Sequence, residues 1–294
     1  GENRSLAASG RSFTDTFGPY QAHVYILGDA GDVGVSPPGT PPPPAGVVAA
    51  VLPSSRSVQV GRPATAFATM INAGSTPATG CRISWPSNLP GTFMFQTTAS
   101  ATNALVGTAN QPVDIPPGGA QSFLFAFTPS APFPPTEVTP AFACASGTPA
   151  PRTPGVNTIL LSASATPVAD AVALGATVNN DGIVDAAPAG GAFAVASVNV
   201  GVGATLSISA DTGGAALPLN VMVCRTETAT GACLGSPAPT SSLMLDGGTT
   251  ASFGVFVQAL GPVPFDPAGS RVFIRFTDEA GVVRGATSVA VRTP

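Results

Sequence analysis

The chain has no lysine: all eleven basic residues among its 294 are arginine. That absence excludes a Lys–Asn or Lys–Asp isopeptide crosslink, and it excludes Schiff-base chemistry on lysine. Charge of either sign is scarce, at 9% of residues against about 25% in ordinary globular domains. The net charge is −4, and the arginines are scattered. The basic footprint that would neutralise nucleic-acid phosphates is therefore missing. No apolar run approaches the roughly 18 residues that suggest a membrane span, and no amphipathic helical stretch of usable length occurs. There is one histidine, His23, and one tryptophan, Trp85.

In place of charge the sequence has Ala, Ser, Thr, Gly and Pro. With 34 Gly and 32 Pro, turns are frequent and long helices disfavoured, since Pro breaks helix interiors and Gly weakens them. A hydrophobic content of 44% is enough for packed cores and argues against a disordered chain. Four cysteines, Cys81, Cys144, Cys224 and Cys233, make an even count that fits disulfides in an oxidising compartment; four buried thiols are the alternative. The opening Gly1-Glu2-Asn3-Arg4 does not read as a signal peptide. The expectation is a secreted mature product, or a piece of something longer.

An internal repeat organises the chain. Phe67-Ala-Thr-Met-Ile-Asn72-Ala-Gly74 matches Phe193-Ala-Val-Ala-Ser-Val-Asn199-Val-Gly201. Gly118-Gly-Ala-Gln-Ser-Phe123-Leu-Phe125 matches Gly247-Gly-Thr-Thr-Ala-Ser-Phe253-Gly-Val, and Thr166-Pro167 matches Thr293-Pro294. The offsets agree closely: 199 − 72 = 127, 253 − 123 = 130 and 293 − 166 = 127. One unit is therefore expected twice, over residues 46–167 and 168–294. Within each unit the period is two. Phe123, Phe125 and Phe127 share one face, and Val272, Ile274 and Phe276 another. Short alternating runs between Gly/Pro/Ser turns predict an all-β fold of two tandem Ig-like β-sandwiches. Asp278-Glu-Ala-Gly281 reads as a hairpin turn between runs 271–277 and 282–292. Cys224 and Cys233 bracket a short loop and are most simply a staple across neighbouring strand ends. Cys81 and Cys144, if paired, would join an early strand to a late one. Swapped pairings between the units are the alternative.

Residues 30–45 form a proline-rich linker, a stiff spacer by composition. Residues 1–29 read as two or three strands, too few to bury a core. The run Phe13-Thr-Asp15-Thr-Phe17-Gly-Pro-Tyr20-Gln-Ala-His23-Val-Tyr25 resembles the last strands of the C-terminal β-sandwich that follows the barrel in many bacterial glycoside hydrolases. The two repeats resemble tandem Ig-like modules that trail large secreted proteobacterial proteins, best at Gly155-Val-Asn157-Thr-Ile-Leu-Leu161 and Val272-Phe-Ile-Arg-Phe276. The resemblance implies a catalytic barrel upstream of Gly1 and brings no catalytic residue into this chain.

Candidate sites are few. A triad would have to be built on His23 with a partner such as Asp15, and no nucleophile-elbow pattern accompanies it. The cysteines lack zinc-type spacing. The acids, among them Asp29, Asp32, Asp211 and Asp246, sit in turn contexts that capping explains. Asn179-Asn180-Asp181-Gly182-Ile183-Val184-Asp185 offers clustered oxygens of the kind Ca²⁺ takes, with Asn179, Asp181 and Asp185 as ligands; an ordinary turn is the alternative. For glycan binding the aromatic candidates are Trp85, Phe93 and Tyr20, with Trp85 equally placed to cover a sandwich core. No catalytic residue and no cofactor other than Ca²⁺ is expected. The reading is a non-catalytic extracellular structural or interaction region, the accessory part of a secreted glycoside hydrolase-like protein. Its partners would be an upstream catalytic or adhesive domain, a polysaccharide or neighbouring subunits, with no nucleic acid and no membrane span. The alternatives are a carbohydrate-binding module, and a surface-fibre or adhesin subunit assembling by strand addition.

Overall fold

The computed structural model describes residues 46–294 apart from Ser87, Ser146 and residues 187–189. The strand segment expected at 1–29 and the linker at 30–45 lie outside the described residues, as do Tyr20 and His23. The described part is all-β, with no helix among the described residues. Its first ten strands are β1 (Val47–Leu52), β2 (Ser55–Gln59), β3 (Ala64–Asn72), β4 (Ala78–Ser84), β5 (Gly91–Thr98), β6 (Val113–Ile115), β7 (Ala120–Pro129), β8 (Phe133–Val138), β9 (Ala141–Ala143) and β10 (Ile159–Ser164). The remainder are β11 (Ala171–Thr177), β12 (Ile183–Asp185), β13 (Gly191–Asn199), β14 (Ala204–Asp211), β15 (Leu219–Thr226), β16 (Thr240–Leu245), β17 (Thr250–Ala259), β18 (Arg271–Asp278) and β19 (Val283–Arg292).

The two sets never share a sheet, and each repeats the other's strand order. Sheet β1-β3-β7-β5 corresponds to β11-β13-β17-β15. Facing it in the second set is β12-β19-β18-β14-β16, opened by a parallel pair of β12 and β19. The first set has the same course in two pieces, β2-β10-β8 and β6-β4-β9, opened by a parallel pair of β2 and β10. There β8 pairs with β10 while β9 pairs with β4, so together they do the work of the single strand β18. Pro140 lies between β8 and β9. Having no N–H, proline cannot continue a central ladder, and the strand divides there.

Each set closes over its own core. In β7 the alternation places Phe123, Phe125 and Phe127 inside, all at 1% exposure or less. With Phe95 and Phe142 they make an aromatic first core. The second core is largely aliphatic, built on Val195, Leu206, Ile208, Val255, Val272 and Ile274 around Phe253 and Phe276. The hairpin expected at 278–281 joins β18 to β19, closed by Asp278 N–H to Val282 O at 2.9 Å and Gly281 N–H to Asp278 O at 2.9 Å.

The repeated asparagines close the sandwiches at one end. Asn72, which ends β3, donates from Nδ2 to Thr76 O (2.8 Å) and Ile115 O (3.0 Å) and accepts from Gly74 N–H (3.0 Å). Asn199, which ends β13, donates to Val202 O (2.7 Å) and Leu245 O (2.9 Å) and accepts from Gly201 N–H and Asp170 N–H, each at 3.0 Å. Both side chains are buried, and each ties one sheet to the strand β6 or β16 of the other. Replacing Asn199 by Ala strands two carbonyls and two N–H groups away from water, at about 1–3 kcal/mol for each group left unsatisfied. A loss of at least about 3 kcal/mol is expected in denaturant unfolding of Asn199→Ala. A loss under about 1 kcal/mol would refute this role.

Candidate functional site

The structure brings two of the aromatic candidates together. Phe93 lies in β5 and Trp85 just beyond β4, and their rings stack at 5.0 Å with an interplanar angle of 21°. The indole also stacks on Phe127 at 4.9 Å and tilts against Phe125 at 6.0 Å. Both candidates are half-buried and pack against the first core. Trp85 Nε1–H is itself buried and has no partner among the described residues. A sugar platform needs an exposed ring face with polar groups at its rim. Here the indole is committed to protein rings and its polar edge faces inward, so the geometry assigns Trp85 and Phe93 to closing the sandwich.

The acidic turn is explained by its own hydrogen bonds. Asp181 Oδ1 accepts from Ile183 N–H at 2.9 Å and from the Thr177 hydroxyl at 3.1 Å. The bond from Ile183, helped by Thr177, holds the Asp181 carboxyl below the ordinary aspartate range. Asn180 and Gly182 take positive φ, +55° and +73°, as a tight turn of this kind requires. Asp185 Oδ1 is engaged by Arg292 Nε at 2.6 Å. Asn179 is exposed. The two carboxylates thus serve different partners. Among the described residues no group of three His, Cys, Asp or Glu side chains is placed to hold a metal ion.

The cysteines pair within each sandwich: Cys81 with Cys144 and Cys224 with Cys233. The first joins β4 to the residue after β9, two strands already paired in register. The second ties β15 to a segment that bridges back onto it, with Thr226 opposite Cys233.

The most elaborate buried polar cluster lies between the sandwiches, and residue pattern alone does not reveal it. Strand β2 presents Ser54-Ser55-Arg56-Ser57 at its start to β19 and to the entry of β11. Ser54 and Ser55 hydroxyls donate to Ala286 O at 3.0 and 3.1 Å, and Ser55 Oγ accepts from Ala286 N–H at 2.6 Å. Arg56 reaches Asp170 Oδ2 through Nε and Nη2, each at 2.9 Å. Its Nη1 donates to Thr65 O at 2.6 Å. Ser57 N–H donates to Asp170 Oδ1 at 2.9 Å. Both members of the ion pair are largely buried, with side-chain exposures of 13% and 5%. Burial lifts the Asp170 carboxyl above the ordinary aspartate range, against the opposing pull of Arg56 and Ser57. Farther along the joint, Ser288 Oγ donates to Gly155 O at 3.1 Å. Gly155 has φ +70°, and a Cβ there would collide with Ser288 and Phe273. A serine-rich strand start and an aspartate just after the interrepeat Thr-Pro were the available signals; nothing in the spacing of Arg56 and Asp170 pairs them.

No protein-family model matches the chain, and no curated protein matches it. Among solved structures the chain is similar to the secreted serine protease VesC from Vibrio cholerae, at 12% identity and a TM-score of 0.23, covering 74% of this chain and 47% of that one. It is also similar to BcpA, the major pilin subunit of Bacillus cereus, at 12% identity and a TM-score of 0.25, covering 84% and 69%. A third is a chaperone–tip adhesin complex of CFA/I fimbriae biogenesis, at 11% identity and a TM-score of 0.20, covering 83% and 99%. The chain spans about half the length of the protease. Similarity at this level assigns neither a family nor an activity.

Proposed function

We propose that this chain is a non-catalytic extracellular structural region, a stiff pair of Ig-like sandwiches that holds or presents a neighbouring domain. The observation that carries the reading is the joint. Tandem domains joined by a linker alone move independently, because interdomain interfaces are ordinarily small and polar. Here a buried ion pair and the Ser54 and Ser55 hydroxyls fix the start of β2 against the entry of β11 and β19, Ser288 of β19 bonds Gly155 at a close approach ahead of β10, and residues Pro43–Pro294 form one compact unit. Two disulfides fit synthesis in an oxidising compartment. The likeness of residues 13–25 to a glycoside hydrolase sandwich supports a carbohydrate-active enzyme as the domain presented. The test is nuclear relaxation of amides in the full chain. Both sandwiches are expected to tumble with one shared correlation time. Two separate correlation times, each near that of a single sandwich, would overturn the reading.

A further inference from the structure

A hollow of about 370 Å³ opens on the outer face of sheet β11-β13-β17-β15, away from the joint. Its lining follows from the register. Ala192, Phe256 and Met222 stand in one row across β13, β17 and β15, and Gln258 and Asn220 face each other in the next. On the β13 side Gly190 and Ala192 carry almost no side chain, which leaves space beside the Phe256 ring. That ring is 39% exposed. It leans along β17 over Gly254, where a Cβ would lie 3.4 and 3.5 Å from Cε2 and Cζ. The aromatic surface is thus laid onto the sheet and open to solvent on its other side. Cys224, paired with Gly254 across the ladder, places its Sγ beside the same glycine, 3.4 Å from that Cβ position.

The side chains of Asn220 and Gln258 are exposed, and beyond the backbone ladder that pairs these two residues their amides make no hydrogen bond among the described residues. Each amide offers two donors and an acceptor oxygen. No charged side chain lines the hollow. An apolar ring face flanked by free amides, with no charge, suits a ligand that is apolar on its faces, ringed by hydroxyls and neutral. A pyranose has that chemistry. The first sandwich provides an internal contrast on the same strand frame. There Ala126 stands where the second has Phe256, Leu124 where it has Gly254, and Thr92 and Thr128 where it has Asn220 and Gln258; only the methionine, Met94, is retained. The features that make the hollow belong to one copy, while the features that make the fold belong to both.

We propose that the hollow around Phe256, Asn220 and Gln258 is a binding subsite for a neutral pyranose unit of a glycan chain. It adds a ligand to the structural role above and stands independently of the joint. The test is affinity electrophoresis of the full chain in gels containing hydroxyethylcellulose, laminarin, xylan, galactomannan or soluble starch, with polygalacturonate as the charged comparison. Retardation by at least one neutral polymer is expected. Phe256→Ala, the residue the first sandwich already carries, should weaken it by about tenfold or more, as loss of a central aromatic contact does. Asn220→Ala with Gln258→Ala should weaken it similarly, and Phe256→Tyr should preserve it. Phe67→Ala, which removes an exposed ring from the first sandwich, should change nothing. Unshifted melting temperatures separate loss of binding from loss of fold. The proposal is overturned by no retardation on any neutral polymer, by retardation on polygalacturonate alone, or by retardation that survives both Phe256→Ala and the double amide variant.

Discussion

Removing the Cys81–Cys144 crosslink by Ala at both positions is expected to cost about 4 kcal/mol in denaturant unfolding. The bond closes a loop with a sequence separation of 63. A crosslink of that span withdraws from the unfolded chain an entropy equivalent to about 4 kcal/mol. Cys81 is also wholly buried in the first core, so truncation removes packing as well. The Cys224–Cys233 bond spans a separation of only 9, and the same relation gives it about 3 kcal/mol. Cys224→Ala with Cys233→Ala should therefore destabilise less. Equal losses, or a greater loss from the shorter loop, would contradict the account.

Arg56→Ala should be the most damaging single substitution at the joint, at about 3–5 kcal/mol, because it leaves the Asp170 carboxylate buried without its counter-charge. Asp170→Asn should cost less, since the amide keeps an acceptor for Ser57 N–H, and the Arg56 guanidinium it leaves without a counter-charge is the more exposed of the two partners and still donates to Thr65 O. The pH dependence has a definite sign. The folded chain holds the Asp170 proton more tightly than the unfolded chain does. This group's contribution is therefore complete below the ordinary aspartate value and is lost as pH rises through the elevated one. The advantage of wild type over Asp170→Asn should widen as pH falls from neutral toward about 4, where ordinary aspartates titrate. Urea unfolding of both proteins across that range measures it; a narrowing gap would reverse the assignment. Asp181 and Asp278, held below the ordinary range, act the other way, stabilising above the ordinary value and losing that contribution on acidification.

The strands of this protein are legible in its sequence where one face is buried and the other wet. Phe123–Phe127 and Val272–Phe276 show the two-residue period because alternate side chains enter the core, and the Asp278–Gly281 turn is marked by an aspartate whose carboxylate takes the N–H groups of Ala280 and Val282 and by a glycine at positive φ. The Asn72–Asn199 correspondence marks the repeat for a physical reason that becomes visible only in the fold, where each amide satisfies groups of the adjoining loop and a carbonyl of the facing sheet. What the pattern could not supply is contact between distant residues. Arg56 and Asp170 meet through the mutual placement of two domains. Phe256 gains its open ring face from Gly254 on its own strand and from Gly190 and Ala192 across the ladder. Trp85 was readable either as platform or as core cover, since sequence does not say which face of a ring is occupied. Phe93 and Phe127 occupy it.

The unlike filling of two like frames also bears on how the chain folds. Neighbouring copies with the same strand order can exchange strands as they form, a characteristic failure of repeat proteins. Were β17 to enter the first sandwich in place of β7, Phe253, Val255 and Val257 would meet a space shaped by Phe123, Phe125 and Phe127. Two valines would stand where phenylalanines fill the core, leaving voids that cost several kcal/mol together. The reverse exchange would force two phenylalanine rings into an aliphatic core, with the strain that overpacking brings. Divergence in side-chain volume thus acts as an address, directing each strand to its own half of a chain whose two halves share one plan.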